Sequence, residues 1–115
     1  AVSRVTFTDP EVGAVGLTEA QAREQGIDVA VGTADIGSDP RGWIHQARGL
    51  VKVVADRRSG VVVGATTMAP YGGEVLGLLS TAVHAQVRVS VLRTMHFAYP
   101  TFHRTIEVAL KETGL

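Results

Sequence analysis

The 115-residue sequence predicts an α+β fold, in which helices pack on an antiparallel sheet of about five strands. Strand-like runs separated by turn residues fill most of 1–69, and helical periodicity dominates after Pro70. Two β-branched runs, 50–55 and 61–68, are joined by a short polar segment that ends in Gly60, as in a β-hairpin. Because hairpin-linked strands pair antiparallel, residues 1–115 are interpreted as one domain around one antiparallel sheet.

The composition argues against several classes of protein. Hydrophobic residues make up 45% of the chain and charged residues 19%, which favours a packed core over disorder. Eleven basic and eleven acidic side chains give a formal net charge of zero, which argues against a nucleic-acid surface or a polybasic membrane patch. The chain has no cysteine, and no apolar run is long enough to span a membrane. His45, His84 and His96 show no metal-ligand spacing with each other or with carboxylates.

The first two predicted strands are 4–8 and 12–17. Polar and apolar residues alternate in the first strand, and Pro10 ends it because proline lacks an N–H and restricts the preceding residue. Gly13 and Gly16 in the second strand indicate a close approach by another backbone.

A short helix is predicted to follow the second strand. Thr18 can accept hydrogen bonds from the free N–H groups of its first turn, and Gln21 can complete a capping box. Gly26 is typical of a helix C-terminus, after which 27–36 is expected to be a strand and 37–42 a loop.

Three helices are predicted in the last third of the chain. The first follows Gly73, with Glu74 at its N-terminus; a phosphate-binding turn is the less favoured interpretation, because no Lys-Ser/Thr pair follows the glycines. Ser90 is expected to cap a second helix through Met95, and Thr101 a third. The apolar residues at helical spacing in the first and third helices are Val75, Leu78, Leu79, Ala82 and Val83, and Phe102, Ile106, Ala109 and Leu110. From this apolar surplus, Leu76, Leu79, Phe102 and Ile106 are expected to form much of a subunit interface.

Three stretches together resemble the C-terminal dimerisation domain of the pyridine nucleotide–disulfide oxidoreductases, the family of dihydrolipoamide dehydrogenase, glutathione reductase and mercuric reductase. The resemblance covers nearly the whole chain, in the family's order and spacing. It is carried by VTFTDPE at 5–11 with VGLTE at 15–19, by GLVK at 49–52 with Gly64, Ala65 and Glu74, and by YPT at 99–101.

The resemblance implies that the chain is a fragment of a longer, cytoplasmic, homodimeric enzyme with upstream FAD and NAD(P) domains. In that family, electrons pass from NAD(P)H through flavin to an acceptor, and the dimerisation domain completes the partner subunit's active site. FAD and NAD(P)H are therefore expected in the full-length enzyme. The isolated chain is expected to bind neither and to be inactive, because it contains no Gly-x-Gly-x-x-Gly fingerprint and no cysteine.

The resemblance also places the candidate site residues. The family's disulfide reductases have a His-Pro-Thr loop. Its histidine shuttles protons to the thiols, and a glutamate shortly after the loop orients that histidine. Here Tyr99 stands in place of the histidine and Arg104 in place of the glutamate. Tyrosine, with a reference pKa of about 10, donates a hydrogen bond but is a poor base, and arginine cannot accept a proton from one. The backbone of Ala98 and Tyr99 is expected to approach the partner's flavin, with a cis Tyr99–Pro100 bond.

Several alternatives stay open at this point. Arg104, near the N-terminus of the last helix, either meets an anion or is a solvated or interface arginine. His103 either replaces the missing proton shuttle or is merely packed. The whole chain could instead be a free-standing, non-catalytic α+β dimerisation or binding module, and its sequence names neither the electron acceptor nor the preferred nucleotide.

Overall fold

The structure, a computed structural model, describes residues 2–7, 11–35, 49–69, 72–97 and 103–115, without the side chains of 72–74. Within these ranges the chain forms five strands and four helices in the predicted order. The elements are β1 (Ser3–Thr6), β2 (Glu11–Gly16), α1 (Glu19–Glu24), β3 (Val29–Asp35), β4 (Leu50–Asp56), β5 (Val62–Ala69), α2 (Gly72–His84), α3 (Val89–Leu92) and α4 (His103–Glu112).

The strands form one antiparallel sheet in the order β1-β2-β5-β4-β3, which confirms the predicted fold class. The β4–β5 hairpin is also confirmed. In its turn the Asp56 carboxylate accepts a hydrogen bond from the Arg58 N–H, at 2.9 Å, so the side chain itself stabilises the reversal.

Both ends of α1 are formed as the sequence predicts. The Thr18 hydroxyl accepts from the Gln21 N–H at 3.1 Å, while the Gln21 side chain accepts from the Thr18 N–H at 3.0 Å. At the other end Gly26 has a φ of +78° and the Ile27 N–H reaches the Ala22 carbonyl, a Schellman motif that requires a left-handed residue.

The main core lies on one face of the sheet, where α2 packs on β2 and β5, and α4 packs on β3 and β4. A smaller cluster lies on the opposite face under α1. Its buried residues are Ala22, Val29 and Val54. The sheet is therefore covered by long helices on one face and only in part on the other.

The predicted interface residues Leu76, Leu79 and Ile106 belong to this main core, so the expectation that they form a subunit interface is wrong; Phe102 lies outside the described residues. Each of the three is at most 1% exposed. The sheet offers mostly small residues on this face, such as Gly13 and Ala65, so large helix side chains are needed to fill the space between the layers.

The short helix α3 begins one residue before the predicted cap, Ser90, which lies inside it. Arg88 is the residue before the helix, and its side chain makes no capping hydrogen bond. The backbone on either side of Arg88 is paired with the start of β5: the Val62 N–H donates to Val87 O and the Val89 N–H to Gly60 O. This tertiary pairing keeps the chain extended through Arg88 and sets where the helix starts.

Helix α4 lies unusually close to β3 at Gly32. A Cβ atom at position 32 would overlap the Ala109 carbonyl oxygen, a backbone atom in the middle of α4 that no side-chain movement can displace. Both residues are buried, so glycine is required here for the helix to rest on the strand.

A Gly32→Ala substitution should lower the free energy of unfolding by about 3 kcal/mol, the upper end of the usual cost of overpacking, because the overlap is with backbone. Chemical denaturation would measure this. The matched control is Thr33→Ala on the exposed side of the same strand, which should change it by no more than about 1 kcal/mol. Equal effects of the two substitutions would contradict a close helix–strand contact at Gly32.

Candidate functional site

Two of the four predicted site residues, His103 and Arg104, lie in the first turn of α4 and are half-buried. The other two, Ala98 and Tyr99, lie outside the described residues, as does the predicted cis bond after Tyr99. The structure therefore describes the start of α4 and the residues on either side of the segment 98–102.

The helical flank is held by burial of one face of α4. Ile106, Ala109 and Leu110 have no exposed surface and pack on the sheet. At the end of the helix the Thr113 N–H and the Thr113 hydroxyl both donate to the Leu110 carbonyl, at 3.2 and 2.6 Å, and so close the last turn. The first turn of α4 is therefore attached to a rigid element.

The preceding flank is held as well. Phe97, immediately before the segment 98–102, is only 5% exposed and belongs to the main core. Upstream of it, Leu92 of α3 is buried, and Arg93 Nη1 donates to the Leu115 carbonyl oxygen at 3.0 Å. This hydrogen bond ties the end of α3 to the residues after α4, so both ends of the segment are anchored in one core.

The charged groups in the first turn of α4 itself are positive. The first turn of α4 contains no acidic residue, and it carries Arg104 where the free N–H groups of the helix already create a partial positive charge. An arginine there is unfavourable by a few tenths to about 1 kcal/mol for the isolated helix. A neighbouring anion would offset this cost.

Thr105, in the same turn, has an unusual environment. Its side chain is 1% exposed, and its hydroxyl has no hydrogen-bond partner within the part of the chain that the structure describes. A buried hydroxyl without a partner costs about 1–3 kcal/mol of desolvation. Thr105 therefore stabilises the fold through the packing of its methyl group, while its buried hydroxyl lowers the free energy of unfolding.

Replacing Thr105 by valine should raise the free energy of unfolding by about 1 kcal/mol, because valine keeps the shape and removes the unpaired hydroxyl. The matched control Thr105→Ser keeps the hydroxyl, loses the methyl group and should lower stability by about 1 kcal/mol. Denaturant titration of both variants measures the difference. A loss of stability in Thr105→Val would contradict an unpaired hydroxyl.

A second polar cluster lies beside α1, on the opposite face of the sheet. Glu19 forms ion pairs with Arg23 at 2.8 Å and with Lys52 at 2.9 Å, and Thr18 and Ala20 complete the wall of an open groove. Hydrogen bonds from Arg23 and then Lys52 lower the pKa of the Glu19 carboxyl. Because these charges already satisfy one another, the cluster joins α1 to β4 and has no evident catalytic role.

The structure also places Glu74 and two of the remaining histidines. Helix α2 begins at Gly72, so Glu74 lies in its first turn, which confirms a helix start for this sequence. His84 and His96 are exposed, and in the described ranges no group of three histidine or acidic side chains could hold a metal ion. No helix in those ranges is long and apolar enough to cross a membrane.

The sequence analysis missed the residues that hold the candidate site in place. Gly32 and Phe97 received no role, although a glycine within a strand is a known signal for close approach of another backbone. The burial of Phe97 had no comparable signal, because a single aromatic residue in an extended segment can lie on either side of a chain.

Comparison with known proteins agrees with the fold. The family model described as pyridine nucleotide-disulphide oxidoreductase, dimerisation domain, matches residues 2–110. Over 110 residues the chain is 34% identical to mercuric reductase from Streptomyces lividans, covering 95% of this chain and 23% of that protein. It is 35% identical over 107 residues to dihydrolipoyl dehydrogenase from Haloferax volcanii, covering 92% of this chain and 22% of that protein.

Solved structures give the same result. The crystal structure of LpdA from Mycobacterium tuberculosis matches with a TM-score of 0.90 and 26% identity, over 96% of this chain and 24% of that one. The HOCl-induced flavoprotein disulfide reductase RclA from Escherichia coli, in its Cu(II) complex, matches with a TM-score of 0.89 and 27% identity, over 96% and 25%. The chain thus spans about a quarter of the length of the relatives that it matches.

Proposed function

The chain belongs to the dimerisation-domain family of the pyridine nucleotide-disulphide oxidoreductases, and we propose that it pairs the subunits of a longer, homodimeric FAD-dependent enzyme that uses NAD(P)H. The observation that carries the proposal is the match of residues 2–110 to a domain that makes up about a quarter of its relatives. We expect that enzyme to act in the cytoplasm. The coding sequence around this chain tests the proposal, since Gly-x-Gly-x-x-Gly fingerprints upstream would support it and a start codon directly before Ala1 would contradict it.

We place the pairing surface on the outer face of α2. Gly77, Thr81 and His84 are exposed there, and a Cβ atom at Gly77 would meet no atom within 4 Å. The Thr81 hydroxyl donates to the Gly77 carbonyl at 3.0 Å, so its polar hydrogen is already used within the helix. Gly77 and Thr81, two small residues four positions apart, leave a smooth strip beside His84 on which a second α2 can approach closely.

Gly77→Gln should convert the full-length enzyme to monomer while leaving the subunit folded. Glutamine is the better helix former by roughly 0.5–1 kcal/mol and has open space within the subunit, so a loss of dimer cannot be attributed to unfolding. Sedimentation velocity gives the mass, and circular dichroism gives the fold.

The matched control for this variant is Ala20→Gln, an exposed position on α1 at the other face of the sheet. The control should remain dimeric at the same protein concentration. A Gly77→Gln enzyme that sediments as a dimer would remove α2 from the pairing surface.

We further propose that the segment 98–102 and the start of α4 complete the partner subunit's active site. Flavin chemistry would carry the electrons there, and this chain would supply Tyr99 as a hydrogen-bond donor. A phenol with a pKa near 10 holds its proton at neutral pH, so Tyr99 is suited to donating a hydrogen bond rather than to abstracting a proton. Arg104 would attract an anionic group of the substrate, cofactor or partner, and His103 is the remaining candidate for proton transfer.

The anchored flanks support this assignment, because a catalytic group must be held to within a fraction of an ångström. Phe97 on one side and Ile106 on the other are buried in the same core. The FAD and NAD(P)H sites, and any redox cysteines, would belong to the rest of the enzyme, since this sequence contains neither a dinucleotide fingerprint nor a cysteine. We therefore expect the isolated chain to be inactive with NAD(P)H and added FAD.

Tyr99→Phe in the full-length enzyme should lower kcat by roughly 2- to 10-fold, the equivalent of one neutral hydrogen bond of about 0.5–1.5 kcal/mol. The dimer should persist, because only a hydroxyl is removed. Steady-state kinetics with NAD(P)H measures the change. The matched control, Tyr71→Phe, makes the same chemical change at the other tyrosine of the chain and should leave kcat unchanged. Unchanged turnover in Tyr99→Phe would mean that Tyr99 only packs.

A further inference from the structure

An apolar row crosses the outer face of the sheet, the face that carries α1. Val12 of β2, Met68 of β5 and Leu50 of β4 are direct cross-strand partners, so their side chains lie next to one another. They are 37%, 42% and 38% exposed. We name these three residues the outer row.

The direction of the outer row follows from its sequence neighbours. Val51 and Thr67, adjacent to Leu50 and Met68 along the strands, have no exposed surface and point into the main core. Since successive side chains of a strand point to opposite faces, the outer row points away from α2 and α4. Helix α1 does not cover it, because the ion pair to α1 is made by Lys52, two residues further along β4.

Three adjacent half-exposed apolar side chains on the middle strands of a sheet are typical of a contact surface. Polar residues border the row: Thr6 pairs with Val12 at one end and Asp35 with Leu50 at the other. A small apolar centre with a polar rim resembles a contact between domains of one chain more closely than an obligate subunit interface.

We infer that the outer row is the docking surface for the dinucleotide-binding part of the same polypeptide, an inference that rests on the proposed function. The chain spans about a quarter of its relatives, so the longer enzyme contains additional folded mass that must pack on this domain. A second copy that pairs through α2 approaches the opposite face of the sheet and cannot reach the row. The two faces would thus serve two partners: α2 the other subunit, and the outer row the same subunit.

A cysteine probe tests this in the full-length holoenzyme. Met68→Cys places a thiol in the outer row, and Glu24→Cys places one at an exposed position on α1. The 115 residues contain no other cysteine, so a labelled peptide from this domain identifies its site uniquely. We expect Met68→Cys to react with a maleimide at least 100-fold more slowly than Glu24→Cys in the native enzyme, and equally fast after denaturation.

A photoactivatable crosslinker attached to the same thiol then identifies the covering segment by mass spectrometry. Crosslinked peptides from the dinucleotide-binding part of the same subunit support the inference. Equal labelling rates of the two thiols in the native enzyme overturn the inference. So do crosslinks to residues 36–48, crosslinks to the other subunit in isotopically mixed dimers, and the absence of any crosslink. Flavin absorbance and dimer mass are measured first. If the protein contains no cofactor domain, the proposed function is wrong. If the flavoenzyme is intact and the thiol at position 68 is accessible, only this inference is wrong.

Discussion

The close contact between α4 and β3 determines where the candidate site lies. The Ala109 carbonyl occupies the space where any residue other than glycine at position 32 would carry its Cβ. The helix then buries Ile106 and Leu110 against the sheet, and its first turn presents His103 and Arg104 beside the segment 98–102. A shift of α4 away from the strand would move that turn as a rigid unit, so the geometry of a site far from Gly32 depends on it.

The two faces of the sheet account for the remainder of the architecture. The large apolar side chains of α2 are buried in the main core, and the small residues Gly77 and Thr81 lie on the outside of the helix. On the opposite face α1 is short, and the Glu19 ion pairs fix it at one end of β4. Among the described residues, α1 therefore leaves the outer row uncovered. Under the proposed function, one of these surfaces would contact the other subunit and the second would contact the rest of the same polypeptide.

The fold was largely predictable from local signals. Thr18 and Gln21 form the expected capping box, Gly26 ends α1, and the residues after Asp56 make the expected hairpin turn. The predictions were wrong where contacts between residues far apart in the sequence determine the structure. Helix α3 begins before the predicted cap because the backbone of Val87 and Val89 pairs with residues at the start of β5. Leu76 and Leu79 are buried in the core because the small residues of the sheet leave space for them. The positions of Tyr99 and Arg104 came from a family resemblance, and the roles of both remain predictions.

The claim that this domain completes the active site of the other subunit can be tested with hybrid dimers of the full-length enzyme. One subunit carries Tyr99→Ala with Arg104→Ala, and the other carries a substitution in its own dinucleotide fingerprint that prevents FAD binding. If the site is formed between subunits, the flavin of the first faces the intact segment 98–102 of the second. The hybrid should then retain about half the wild-type turnover per dimer, which is the full wild-type turnover per bound flavin. A turnover per bound flavin no higher than that of the Tyr99→Ala/Arg104→Ala homodimer would contradict the account.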